Sequence, residues 1–299
     1  MENELLSKKI RDLAESNGID ILGFTDASEF KGYAVKDSLR QSPELSLPEA
    51  EIIIVAGIYI GGVTLPSWTN QMFGRTSRLY LSEFFLDIVK PMEPIADLLK
   101  NEGYKAIISN SETNEGSVLP LKHAAIRAGL GWQGKNSLLI SKKYGTFLAL
   151  GGIITNAELE YTTREEQNLC GKCNKCQKAC PLNALDQSHV LNINKCLSFH
   201  LQNENLPQNA KVIMGNRVGD CEICQDICPW NKKHLDNPLE TKLTLQFRSE
   251  IDKWEKFFYL PNLVKLTEKE YQDKLGTLGT GISYEIFHRN VLLAIEGIQ

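Results

Sequence analysis

The chain opens on a helical pattern. Leu6, Ile10 and Leu13 share one face over residues 2–17, with charges on the others, and Gly18 follows as a helix stop. Ile19 to Phe24 then predicts a short strand. Glu51 to Ala56 is a continuous apolar run between turn formers, as a strand covered on both faces requires. Residues 80–101 carry a helical pattern that Pro91 and Pro94 must cut or kink. Ala106 to Ile108 predicts another strand, and residues 120–130 a helix ending at Gly129-Leu130-Gly131. Leu138 to Ile140 and Phe147 to Ile154 read as two strands paired through a turn near Lys143-Tyr144-Gly145.

Strands alternating with helices predict a layered α/β or α+β domain over residues 1–160. Residues 161–168 are polar and charged, as a linker would be, and a cysteine-rich segment follows to about residue 236. Residues 237–299 predict a short helical C-terminus. Within it, Thr267-Glu268-Lys269-Glu270 has the form of a capping box, and Tyr284 to Ile295 suits a last helix. The overall expectation is an α+β chain of three consecutive parts, 1–160, 161–236 and 237–299. No internal repeat or low-complexity tract interrupts it.

Composition narrows the class. With 299 residues, 42% hydrophobic and 23% charged, the chain suits globular domains with real cores. A net charge of −4 gives no bulk attraction to nucleic acid, so any RNA contact needs a local basic patch. No apolar run reaches the roughly 18 residues a membrane span needs. The N-terminus, Met1-Glu2-Asn3-Glu4, lacks the apolar core of a secretion signal, and a cytoplasmic protein is expected.

The eight cysteines change the picture most. All lie between Cys170 and Cys228. Disulfide scaffolds are usually short secreted chains, so clustered cysteines here point to metal or redox chemistry. Cys170-x2-Cys173-x2-Cys176-x3-Cys180-Pro181 has bacterial ferredoxin spacing, in which three cysteines wrap one cubane and the fourth ligates its neighbour. Cys221-x2-Cys224-x3-Cys228-Pro229 lacks one cysteine of that run, and Cys196 stands alone between the groups. Two [4Fe–4S] clusters use every thiol. Cys170, Cys173, Cys176 and Cys228 would hold one, and Cys180, Cys196, Cys221 and Cys224 the other. Zinc also takes four thiolates, but in separate knuckles that do not need this spacing. Lys172, Lys175 and Lys178 lie among the first group, and Lys232, Lys233 and His234 follow the second. These cations either offset the negative clusters or form a docking patch for an acidic donor or RNA phosphate.

At this level of detail the chain resembles the epoxyqueuosine reductase family. The resemblance rests on Ala128-Gly129-Leu130-Gly131-Trp132-Gln133-Gly134-Lys135-Asn136, Cys196-Leu197-Ser198-Phe199, Gly215-Asn216-Arg217-Val218, and the run Cys221 to Asn231. It extends more weakly to Leu39-Arg40-Gln41-Ser42-Pro43, covers about residues 5–236, and echoes at Arg289-Asn290. It implies a cobalamin-binding N-terminal domain beside a ferredoxin-like double-cluster module. It further implies reduction of epoxyqueuosine to queuosine in the tRNA anticodon loop, fed by a low-potential donor such as ferredoxin or flavodoxin.

Carried over by position, the resemblance implies corrin contacts at Arg40, Gly134, Lys135, Asn136 and Ser198. Each also has a plain reading as a turn or surface residue. The family's catalytic aspartate falls on Glu115, with Glu112 and His123 as rival proton donors. A glutamate there moves the carboxyl by roughly 1.5 Å. The stretch Leu79 to Phe85 also departs from the family's pattern, and the helical repeats that follow in longer relatives would begin near Gln299. Two rival functions therefore stand beside the first. One is a related corrinoid iron–sulfur reductase with a non-tRNA substrate. The other is a ferredoxin-like electron carrier without its own catalysis.

Overall fold

Strand β2 (Ile52–Tyr59) is buried along its whole length and centres the first part of the fold. It runs antiparallel to β1 (Ile21–Asp26) on one side. On the other it pairs antiparallel with the long strand Leu148–Thr155, whose far edge holds the strand Ala106–Ser109. Every ladder of this four-stranded sheet is antiparallel, so the layered expectation resolves to α+β rather than a parallel α/β sheet.

A computed structural model of the chain describes residues 2–32, 42–83, 87–109, 119–161, 166–275 and 282–298. By contacts it divides into two units. The first comprises residues 1–59, 87–134 and 138–171, and the second residues 60–86, 135–137 and 172–299.

In the first unit the period-two geometry of β2 sends alternate side chains to opposite layers. Ile52, Ile54 and Ala56 pack with Leu6, Ile10 and Ala14 of helix Glu2–Ser16 and with Ile95 and Leu99 of helix Glu93–Asn101. Ile53 and Val55 pack with Ala124, Ala125 and Leu130 around helix Leu121–Arg127. Two covered faces explain an apolar run without alternation. Each isoleucine so buried contributes about 1.5–3 kcal/mol of transfer free energy.

Three local expectations are refined. Gly18 does stop the first helix, at φ +83, a left-handed conformation that glycine adopts without a Cβ penalty. Pro94 opens helix Glu93–Asn101 rather than kinking one, at a position where its missing N–H leaves no bond unmade. The hairpin expected across residues 138–154 is not formed. Leu139–Ile140 pairs instead with Trp132–Gln133, while Leu148–Thr155 inserts between Ile52–Tyr59 and Ala106–Ser109. Only the bridge Ser141↔Gly145 survives at the turn. The second apolar run gains burial on both faces inside the sheet, which a two-stranded hairpin could not provide.

The second unit joins the cysteine segment to residues 60–86 and to the helices after residue 237, which the sequence suggested were separate parts. Leu197, Leu201, Leu206, Ala210 and Met214 form a core beneath the cysteine loops. The backbone of residues 72–76 is held on two sides. Gly74 N–H donates to the Phe258 carbonyl (2.7 Å), and Arg75 N–H to the Asn216 carbonyl (2.8 Å). A Cβ at Gly74 would meet Leu263 at 3.1 Å and Val218 at 3.1 Å, so glycine permits the close approach. The capping box at Thr267 and Glu270 is formed as expected. Among the described residues no helix is long and apolar enough to cross a membrane.

Candidate iron–sulfur centre

The cysteine loops are shaped by short helices and by the prolines that end them. Helix Lys175–Ala179 carries Cys176 and stops at Cys180, which is extended because Pro181 disfavours a helical residue before it. Cys196 sits just before helix Leu197–Leu201, and Cys224 lies within helix Ile223–Asp226. Backbone N–H groups point at the sulfurs. Ala184 N–H lies 3.2 Å from Cys180 Sγ. Ser198 and Phe199 donate to Cys196, and Ile223 to Cys221. Such donors suit sulfurs that become thiolate ligands.

The cysteines far apart in sequence are brought together. Burial pushes the Cys224 thiol well up, and the charges of Cys221, Cys196, Cys180 and Cys176 add to that, in that order. Burial likewise pushes Cys221 to about 12 and raises Cys196, where Asp220 and Cys180 add smaller contributions. Cys180, Cys196, Cys221 and Cys224 therefore form one neighbourhood, with Cys176 at its edge. Protonated thiols are the expected state without metal, and a bound cation is what makes them thiolates. Among the described residues no three His, Cys, Asp or Glu side chains converge on a single ion position. A cubane spreads its ligands over four iron corners, a wider set than one ion needs.

Cys170 belongs to the first unit, where its N–H donates to Asn168 Oδ1 (2.9 Å) and Asn168 Nδ2 donates to the Gln133 carbonyl (3.1 Å). Lys135 is not a solvated surface lysine. Its Nζ donates to the Cys173 carbonyl at 2.9 Å, and its own carbonyl accepts from His189 N–H at 3.3 Å. Asn136 is buried. Gly134 makes the turn bond to the Leu138 carbonyl at 2.8 Å. Gly134, Lys135 and Asn136 thus lie on the short loop that joins Trp132–Gln133 to Leu139–Ile140.

Ser198 donates to the half-buried carboxyl of Asp220, which also accepts from Ser77 and from Cys221 N–H at 2.6 Å. Burial raises that carboxyl above the usual range, against these three hydrogen bonds. His123 lines an open groove of about 660 Å³ in the first unit, with Trp132, Gln133 and Arg127. Arg40, Glu112 and Glu115 lie outside the described residues.

Two features escaped the sequence pattern. Asp220 is an ordinary aspartate in the sequence, and the fold brings three donors onto its carboxyl. Asn290, fully buried in helix Tyr284–Glu296, donates to the Leu201 carbonyl (2.8 Å) and to the Val218 carbonyl (3.0 Å). Arg289 beside it donates to the carbonyls of Asn203 (2.8 Å) and Glu204 (2.6 Å). These two residues, only an echo in the sequence, tie the stretches that follow Cys196 and precede Cys221.

Residues 169–231 match the family model described as a 4Fe-4S double cluster binding domain. A Prochlorococcus marinus protein named epoxyqueuosine reductase is 40% identical over 122 residues, which is 40% of this chain and 39% of that protein. One from Lactococcus garvieae is 30% identical over 322 residues, covering 97% of this chain and 86% of that protein. The structure of epoxyqueuosine reductase from Streptococcus thermophilus superposes with a TM-score of 0.78 at 26% identity, over 97% of this chain and 81% of that one. An epoxyqueuosine reductase solved with an epoxyqueuosine-modified tRNA-Tyr stem loop gives 0.75 at 25% identity, over 98% and 81%. Similarity at this level along nearly the whole length, on a fold that gathers the cysteines as described, shows that the chain belongs to the epoxyqueuosine reductase family.

Proposed function

We propose that this chain is an iron–sulfur and cobalamin-dependent reductase that converts epoxyqueuosine to queuosine in tRNA. The observation that carries the reading is the single neighbourhood of Cys180, Cys196, Cys221 and Cys224 with Cys176 at its edge. That arrangement supports two clusters in close succession. Cys170, Cys173, Cys176 and Cys228 hold one, and Cys180, Cys196, Cys221 and Cys224 the other. The family relative bound to a modified tRNA stem loop supports the substrate.

The chemistry sets what the residues must do. Both epoxide C–O bonds break, a C=C bond forms, and the oxygen leaves as water. The balance takes two electrons and two protons. Clusters move electrons singly, so a cofactor must gather them, and cobalamin supplies a cobalt centre able to pass them to the substrate. Gly134, Lys135, Asn136, Ser198 and Arg40 would hold the corrin. Lys135 also fixes the Cys173 loop, and Asp220 orients the Ser198 hydroxyl. Glu115 delivers a proton to the epoxide oxygen. Lys172, Lys175 and Lys178 face a low-potential acidic donor such as ferredoxin or flavodoxin, in the cytoplasm where thiols stay reduced.

The test is an anaerobic assay of the reconstituted protein with cobalamin, a strong reductant and epoxyqueuosine-containing tRNA, read by nucleoside mass spectrometry. Queuosine is expected. Its absence, under conditions where a longer family member turns over, overturns the tRNA reading in favour of another substrate. Glu115→Gln is expected to abolish turnover and spare corrin binding, and unchanged turnover removes Glu115 from the mechanism.

A further inference from the structure

A buried ion-pair network stands behind the second cysteine loop, and the function above leaves it unused. Arg78 is 3% exposed and Glu222 is 2% exposed. Arg78 Nη1 donates to Glu222 Oε2 at 2.5 Å, and Arg78 N–H to Glu222 Oε1 at 2.7 Å. The same Nη1 reaches Asp226 Oδ1 at 3.1 Å, and Arg75 donates to Asp226 Oδ2. Both guanidiniums lie over the Trp68 ring, 5.2 Å (Arg75) and 5.7 Å (Arg78) from its centroid.

The acidic partners hold telling positions. Glu222 stands between Cys221 and Cys224, and Asp226 between Cys224 and Cys228. Both carboxylates are therefore fixed to the helical turn that carries the thiols. The arginines arrive from a stretch of backbone already locked in place, since Arg75 N–H donates to the Asn216 carbonyl and Val218 N–H donates to the Arg75 carbonyl, each at 2.8 Å.

Stability alone does not account for such a network. Desolvating two charges costs about as much as their attraction returns, and apolar side chains of similar volume often do as well or better. What the arginines add is fixed geometry and fixed positive charge. A [4Fe–4S] centre with four thiolates is net negative, and its potential follows nearby charge and hydrogen bonding.

We propose that Arg75 and Arg78 are positioning residues of the cluster held by Cys180, Cys196, Cys221 and Cys224: through Glu222 and Asp226 they hold the Cys221–Cys224 turn and set the reduction potential of that centre. This rests on the ligand set proposed above. Arg78, the more buried, serves mainly geometry. Arg75, more exposed and hydrogen-bonded to Asp226, serves mainly charge.

The experiment uses the full chain, reconstituted with iron and sulfide under anaerobic conditions without cobalamin or tRNA. Iron per chain and the midpoint of each cluster are followed by electron paramagnetic resonance. Wild type should hold about eight irons per chain. A wild type that holds fewer defeats the ligand set itself, separately from the arginine proposal. Arg75→Gln should keep about eight irons and shift one midpoint to lower potential, because a positive charge beside the centre is lost and Asp226 keeps only its pairing with Arg78. Arg75→Lys should return that midpoint toward wild type. Arg78→Gln should retain only about four irons. If Arg75→Gln holds full iron with both midpoints unmoved, or moves both equally, the proposal is overturned.

Discussion

Replacing Cys196 with serine should remove one cluster and leave the other, so that iron falls from about eight to about four per chain. The loss is specific because nothing can substitute. The chain has eight cysteines, and two cubanes require all of them. Cys196 is the one ligand without a cysteine three or four positions away, yet it lies within charge range of Cys180, Cys221 and Cys224. A serine hydroxyl is a harder and far less acidic ligand than a thiol, poorly matched to iron–sulfur chemistry. Reduction of epoxyqueuosine should fall by more than the roughly 100-fold that loss of an outer-shell partner can cost a metal site. Iron and sulfide assays with paramagnetic resonance decide the matter. Retention of full iron and both signals would remove Cys196 from the ligand set.

Gly131→Ala should cost about 3 kcal/mol or more, a loss at the severe end for a single added methyl group. The added Cβ would lie 2.1 Å from the Ile140 carbonyl oxygen and 2.8 Å from its carbon. Neither atom can rotate away, because both belong to the strand paired with Trp132–Gln133. Relief requires the pair to separate, which exposes Trp132, now 1% exposed, and disturbs the loop carrying Lys135 and Asn136. Gly18→Ala is the matched control. Its φ of +83 is left-handed, but no atom lies within 4 Å of the new Cβ, so the cost should stay near 1 kcal/mol. Anaerobic guanidinium unfolding of the holoprotein measures both. Equal effects at the two positions would refute the steric argument.

The double-cluster segment was legible in the sequence because each cysteine loop is local, and a C-x2-C-x2-C loop has few other uses. The covered strand Ile52–Tyr59 was legible because burial on both faces suppresses alternation. Pairing was not. Leu139–Ile140 and Leu148–Thr155 are joined by a plausible turn, and only the competing burial offered by β2 shows why they part. The partners of Glu222 and Asp226 were hidden for a related reason. Arg78 lies 144 and 148 residues away from them, and nothing in local composition marks so distant a pair. Lys135 stood out in the sequence only through the resemblance, and its bond to the Cys173 carbonyl, 38 residues away, has no local signal.

The amide of Asn290 binds carbonyls 89 and 72 residues earlier in the chain. A ribosome delivers those carbonyls, and all eight thiols, well before it delivers that amide. The growing chain therefore carries these eight sulfurs for a time without the bonds that tie the segment after Cys196 to the segment before Cys221. Chains arrested before residue 290 should hold less iron than chains that include it.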